Sequence, residues 1–494
     1  MNSGYIGTII CLNDTPNTDI FYAIQDINNK IIVKKGQYAE IPVENGTIVG
    51  QIIEILKTNR YFSQIDTIAE LVKGGHKIEE FFPADLWEFA LIKIKGLAVL
   101  TKNGIETLGS PPSPGSDVFL ANEKTLEKLL GFSEEGINIG MLKNHIIPVK
   151  LDVDKLVRKH IAVLAMSGAG KSYTTSVIIE ELLKRKIEQG RLAIIIFDVH
   201  GEYLSFGDSD SIFKNQTQII PASAIQFATA RLDRFLISNF LPQMSSIQYR
   251  DLSRIITQFR KETSSKVTLR TLIQKMESDE KINPKTKDAL LNWILDLEDT
   301  YLFGPVENPK WEDIISPGKL IIIDMKDLVS LRKKQMILTY VAYRLFNLRR
   351  RDKIPPVLLV IEEAHQFCPE AQRELAISKH MLETIAREGR KFYTSLLLVS
   401  QRPVRLSTTV LSQCNTQIIM KITNPYDLQH IGATSEKIDK DTLNAITGLG
   451  IGEALVVGEA TNYPIFVEVR ERHVKGKTEY ESTIKEVSIK FEKK

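Results

Sequence analysis

One stretch constrains this chain more than any other: Ala165 to Ser172 reads A-M-S-G-A-G-K-S. It follows the apolar run Ile161-Ala162-Val163-Leu164 and precedes Tyr173 to Lys186, where Val177, Ile178, Leu182 and Leu183 recur at helical spacing. Strand, glycine-rich loop and helix in that order form the setting in which a P-loop holds phosphates. Gly168 and Gly170 let the backbone N–H groups from Ser167 through Ala169 to Ser172 turn inward onto phosphate oxygens. Lys171 then reaches the outer phosphates, and the Ser172 hydroxyl ligates magnesium. Ala165 replaces the first glycine of the pattern, at a position that turns out of the strand and accepts a methyl. A plain strand-to-helix turn would leave the Lys-Ser pair unexplained, so ATP and Mg2+ are the expected cofactors.

With 494 residues the chain exceeds a single core, and at roughly 100 to 200 residues per domain two or three are expected. Lys and Arg total 64 against 61 Asp and Glu, a net charge of +3, which excludes a polycationic nucleic-acid coat. A DNA-contacting surface must then be local, and Lys214, Arg402 and Arg405 are the basic loop candidates. Cys11, Cys368 and Cys414 are far apart in sequence without a C-x-x-C pair, which argues against a disulfide framework or a zinc site. They are expected to be buried thiols. No apolar run reaches the ~18 residues of a membrane span and the N-terminus lacks a signal pattern, so a cytoplasmic protein without a membrane partner is expected.

From Tyr5 to about Leu100, short apolar stretches alternate with turn residues, among them Asn28-Asn29, Asn45-Gly46 and Asn103-Gly104. This predicts a small β-barrel or sandwich over residues 1–116, ended by the Pro-rich break Ser110 to Gly115. A connector over 117–150 leads to an α/β ATPase core over 151–474, interrupted by a helical insertion at about 222–316. In the polar tail, 475–494, Ile484, Val487 and Ile489 suggest one short docking element.

Within the core, Arg191 to Phe197 is a buried strand ending in Asp198-Val199-His200-Gly201-Glu202. Side chains at carboxyl ends of parallel strands face the ligand, which places Asp198 and Glu202 for a magnesium-water or loop-positioning role. Val357 to Ile361 followed by Glu362-Glu363 is the Walker B form: Glu362 holds the magnesium shell and Glu363 polarises the attacking water. Gln401, at the end of the strand Thr394 to Val399, is placed to sense the γ-phosphate. Arg387 and Arg390, at a helix end, are candidates for stabilising transition-state charge across a subunit boundary. The strand Lys319 to Asp324, between the two motifs in sequence, and the Glu after Walker B indicate an additional-strand (ASCE) P-loop ATPase.

The set M-S-G-A-G-K-S, F-D-V-H-G-E-Y, V-I-E-E-A-H, A-R-E-G-R-K and L-L-V-S-Q-R-P, in this order, resembles the HerA branch of the HerA/FtsK superfamily over nearly the whole chain. The resemblance implies a RecA-like core with an N-terminal HAS-barrel, a homohexameric ring, and ATP-driven translocation on double-stranded DNA with bipolar unwinding. It further implies partnership with the NurA nuclease, and a link to other end-resection proteins, in double-strand-break repair. It assigns Arg387 to the neighbouring active site, Arg158 of Arg158-Lys159-His160 to nucleotide contact, and Ile465 and Phe466 to the base. The residues alone leave open a ring motor for protein or conjugative DNA, and a nucleotide-gated scaffold. Glu363 and Gln401 argue against the scaffold, which has no use for a water-polarising acid.

Overall fold

A computed structural model of the chain describes residues 4–11, 18–26, 33–59, 88–262, 267–370, 376–435, 438–475 and 488. The chain divides into two compact units, Met1–Ser133 with Met141–Val149, and Glu134–Gly140 with Lys150–Lys494. The turn expected at Asn28-Asn29 and the tail positions Ile484, Val487 and Ile489 lie outside the described residues.

The first unit is built on β1 (Tyr5–Ile10), β2 (Ile20–Asp26), β3 (Tyr38–Val43), β4 (Gly46–Asn59), β5 (Glu88–Thr101), β6 (Gly104–Glu106), β7 (Asp117–Leu120) and the helix α1 (Glu123–Leu130). Six strands run in the order β2-β1-β7-β3-β4-β5, and β5 pairs back onto β2, so these six close into a barrel, with the short β6 appended to β5. Alternate residues point inward, and Ile6, Phe21, Ile41, Ile92 and Ile94 fill the interior. Asn45-Gly46 and Asn103-Gly104 form the β3–β4 and β5–β6 hairpins; a Cβ on Gly46 would lie 2.2 Å from the Leu100 carbonyl oxygen. Strand β7 falls beyond the Pro-rich break, so the barrel runs past residue 116. With four residues, β7 is too short to show a period of two.

The second unit adds β8 (Ile137–Leu142), β9 (Pro148–Leu151), α2 (Val153–Val157), β10 (Ile161–Leu164), α3 (Lys171–Lys184), β11 (Ala193–Asp198) and β12 (Thr217–Pro221). The insertion follows, as β13 (Phe227–Ala228), α4 (Arg234–Phe240), α5 (Ser246–Glu262), α6 (Leu269–Glu277), α7 (Pro284–Glu298), β14 (Phe303–Gly304) and α8 (Trp311–Ile314). The core resumes with β15 (Leu320–Asp324), α9 (Leu331–Arg350), β16 (Val357–Ile361), α10 (Ala364–Phe367), α11 (Lys379–Glu388), β17 (Thr394–Ser400) and β18 (Thr416–Ile419). It closes with α12 (Pro425–Thr434), α13 (Lys440–Thr447), β19 (Glu453–Gly458) and β20 (Ile465–Val469).

Eleven strands form one sheet in the order β12-β15-β11-β16-β17-β10-β18-β19-β20-β8-β9. From β12 to β18 neighbours are parallel, and β10, β11, β16, β17 and β18 are buried at every residue, as strands covered on both faces must be. The strand inserted between the P-loop strand β10 and the Walker B strand β16 is β17. The strand Lys319 to Asp324, which lies between the motifs in sequence, sits beyond β11 in space. The additional-strand architecture therefore holds, carried by the strand that ends at Gln401.

The thiols divide differently from the sequence expectation. Cys368 and Cys414 are buried, but Cys11 is exposed at the end of a barrel strand, where the alternation has already stopped.

Candidate functional site

Helix α3 opens on Gly170, whose φ of 102° is open to glycine, and no side chain caps it. The first-turn N–H groups are therefore left for a ligand. The loop is pinned on both sides: the Ala165 N–H donates to the Ser400 carbonyl at 3.2 Å and the Met166 N–H to that of Lys421 at 3.0 Å. Both acceptors lie at the ends of the strands flanking β10, so the sheet itself sets the position of the phosphate cradle.

Four side chains converge opposite that cradle. Lys171 Nζ lies 3.3 Å from Glu363 Oε1, Gln401 Nε2 donates to Glu363 Oε2 at 3.2 Å, and His365 Nδ1 lies 3.3 Å from the same oxygen. Glu363 is 2% exposed and sits in the left-handed region at φ 49°, ψ 44°, a strained setting for a residue with a Cβ. That turn aims its carboxylate back across β17 towards Lys171. Burial holds His365 below the ordinary imidazole range against the opposing pull of Glu363, and its ring also meets Ser400 Oγ at 3.2 Å.

A second acidic group surrounds Ser172. The Ser172 hydroxyl donates to Glu202 Oε2. Glu362 Oε2 accepts the Val199 and His200 N–H groups at 2.8 and 3.2 Å, while its Oε1 is buried without a hydrogen-bond partner. Burial, together with the nearby Asp198 and Glu202 carboxylates, pushes Glu362 well above the ordinary carboxylate range. Asp198 has another occupation: it accepts the N–H groups of Gly201, Glu202 and Tyr203 at 2.7, 3.1 and 2.9 Å and so caps the turn after β11.

The donor set suits magnesium bound through phosphates and water, because no group of three His, Cys, Asp or Glu able to hold a metal exists among the described residues. Ser172 and the orphaned Glu362 oxygen are the protein atoms that fit it.

The arginines stand apart. Arg387 is 61% exposed and among the described residues pairs with Glu383, one turn back on α11, at 3.3 Å. Arg390 is exposed in the following 3-10 turn. Among the described residues neither bonds to the P-loop of its own chain. Arg158, exposed at the end of α2, likewise touches none of it. Ile465 is fully buried in β20 and has no surface to offer a base, whereas Phe466 is half-buried. Lys214, Arg402 and Arg405 are exposed, Arg402 directly after Gln401 and the other two in short 3-10 turns.

Three residues near the cradle carry more structure than their sequence signal suggested. His160, at φ 62°, accepts the Leu396 N–H on Nδ1 at 3.0 Å, so its Nε2–H donates to the Ala386 carbonyl at 3.0 Å. One buried ring thus joins the base of the P-loop strand to β17 and to the helix end that bears Arg387. Tyr173, next to Ser172, accepts the Arg472 N–H on its hydroxyl at 2.9 Å, and the Arg472 guanidinium lies 5.0 Å over the Tyr173 ring. Only the pairing with a distant segment gives these residues a role, and no local pattern announces it.

The family described as Helicase HerA, central domain, matches residues 137–346. A probable helicase of Methanocaldococcus jannaschii is 30% identical over 464 residues, covering 88% of this chain and 86% of the relative. The DNA double-strand break repair helicase HerA of Sulfurisphaera tokodaii is 29% identical over 88% of each chain. Among solved structures, VirB4 of Thermoanaerobacter pseudethanolicus overlaps 68% of this chain and 97% of its own at 17% identity, with a TM-score of 0.53. The conjugative coupling protein TrwB overlaps 73% and 94% at 13% identity and a TM-score of 0.50. These two likenesses are of fold.

Proposed function

The chain belongs to the HerA helicase family, and on that premise we propose that it is an ATP-driven translocase and helicase for double-stranded DNA. The observation that carries the proposal is the convergence of Lys171, Gln401 and His365 on the buried Glu363 carboxylate. A scaffold that only holds nucleotide needs no such acid. Residues Ser167 to Ser172 cradle the phosphates, and Lys171 exchanges Glu363 for the γ-phosphate. Glu363, released, polarises the attacking water while Gln401 reports whether the γ-phosphate is there. Ser172 and Glu362 would hold magnesium, which would supply neutralisation of the phosphate charge.

The finer reading is a ring of six copies in which Arg387, with Arg390 beside it, completes the neighbour's site. The exposure of both arginines, and the lack of a bond from either to its own P-loop among the described residues, support it. Arg158 contacts the nucleotide and Phe466 borders the base. The ring unwinds with either polarity, works in the cytoplasm with the NurA nuclease and other end-resection proteins, and uses the barrel as the docking platform. No helix among the described residues is long and apolar enough to cross a membrane.

The test is ATP turnover of the full chain with and without duplex DNA over a salt series. DNA-stimulated turnover that weakens as salt rises is expected, since phosphate contacts release counterions. Turnover indifferent to DNA at every salt concentration would redirect the motor to a protein cargo.

A further inference from the structure

The helical insertion holds a groove of about 920 Å³ that the ATPase chemistry does not use. Helices α4 and α5 and the turn between them line it. Arg234, Arg250 and Arg254 project into it alongside the hydroxyls of Ser246 and Ser253, and none of its lining residues is acidic. Leu241 and Met244 give it an apolar floor.

The three cations are unequally committed. Arg254 is tied to Asp279 at 2.9 Å, outside the groove. Arg250 meets Asp251 only at 3.7 Å and is 75% exposed. Arg234 lies 5.4 Å over the ring of Tyr249, another lining residue, and is exposed. The Tyr249 hydroxyl is itself buried and has no hydrogen-bond partner, an unmet bond that a ligand oxygen would satisfy.

From this geometry we infer that the insertion carries a second nucleic-acid site, a groove that grips the phosphodiester backbone. Arg250 and Arg254 are one helical turn apart, a rise of about 6 Å along α5. Guanidinium groups and serine hydroxyls in one line are the donors that phosphate oxygens take. The apolar floor faces sugars and bases, and a groove running along a helix admits a polymer. The site would add backbone contacts independent of the nucleotide loops, holding DNA while Lys171 and Glu363 change partners. The inference rests on the DNA reading above.

The experiment measures binding of fluorescent duplex and single-stranded oligonucleotides to the full chain by anisotropy over a salt series. Wild type is compared with the double variant Arg234→Gln, Arg250→Gln, which leaves the Arg254–Asp279 pair intact. Each lost phosphate contact lowers the slope of log K against log salt by about 0.9 for duplex and about 0.7 for single strands. A drop of about 1.8 or about 1.4 is therefore expected, with DNA-free ATP turnover unchanged. Tyr249→Phe, which removes the hydroxyl alone, should weaken binding several-fold at constant slope. Variants that match wild type in slope and affinity overturn the groove and leave the helicase reading standing. A change confined to competition by inorganic pyrophosphate overturns the groove as well. A wild-type chain that binds no DNA at any salt overturns both.

Discussion

Lys171 and Glu363 form an ion pair of 3.3 Å across the phosphate site, so the lysine that must hold phosphate is already engaged by the acid that must activate water. Nucleotide binding competes with this pair. Glu363→Gln removes the competing charge at constant shape: ATP should bind at least as tightly as in wild type, while turnover falls about 10²- to 10⁴-fold. Lys171→Ala should lose both. Equilibrium titration with a fluorescent ATP analogue and a phosphate-release assay separate the two outcomes, and undiminished turnover in the Glu363 variant would place the base elsewhere.

Among the described residues Arg387 pairs with Glu383 on its own helix and has most of its surface in solvent. If it serves a neighbouring copy, mixing Arg387→Ala chains with Glu363→Gln chains restores part of the activity, because some interfaces regain both groups. Such arginines are worth about 10³ to 10⁵ in rate, so recovery should stand clear of background. Absence of recovery at every mixing ratio, with assembly confirmed by sedimentation, would count against sharing.

Burial depresses His160 from 6.5 to about 4. A group whose pKa falls on folding favours the native state while it is neutral. Its contribution is therefore complete above pH 6.5 and is lost as pH falls towards 4, a change on the order of 3 kcal/mol. Thermal unfolding of wild type should drop through that window. His160→Phe should be destabilised at pH 7.5, because the Leu396 N–H and Ala386 carbonyl lose their partner, and should lose less on acidification. An identical pH profile in both proteins would remove His160 from the account.

Arg470 ties the segment after β20 to the P-loop helix, pairing with Glu180 at 3.0 Å and Glu181 at 2.8 Å. Glu180 has no exposed surface and also accepts the His473 and Val474 N–H groups. Arg470→Ala leaves that carboxylate buried without its cation, which should destabilise the chain by about 3 to 5 kcal/mol. Double substitution with Glu180→Gln should recover part of the loss in a denaturant titration; no recovery would show that the ion pair is not the cause.

Because β7 lies between β1 and β3, a fragment of residues 1–116 lacks one stave of its barrel. Residues 1–149 retain it, along with the contact from the Tyr38 N–H to His145 Nε2 at 3.2 Å. The longer fragment should be soluble and melt cooperatively by circular dichroism, and the shorter should aggregate. The longer one is then the probe for the proposed docking of a nuclease.

What the sequence disclosed follows from how local each signal is. The phosphate loop, the paired acids and Gln401 announce themselves because each sits where a continuous apolar strand stops. The barrel strands up to Leu100 show through alternation and Asn-Gly turns. Strand β7 is too short to alternate, and the neighbour of β10 is set by crossover connections that leave no mark in the chain. Roles for His160, Arg470 and Arg472 depend on partners more than 200 residues away. For Asp198 the sequence left a magnesium-water role and a loop-positioning role open, because the three N–H groups it caps depend on how the following turn folds.

The His160 ring has one more consequence. A side chain at the foot of the phosphate strand that bonds β17 through Leu396 and the arginine helix through Ala386 ties these three parts together. A copy that shifts when its phosphates leave must carry Arg387 with it, towards or away from whatever lies next to it. In a closed ring, news of hydrolysis would then travel as displacement of whole bodies, and the order of firing would be settled at the joints between copies.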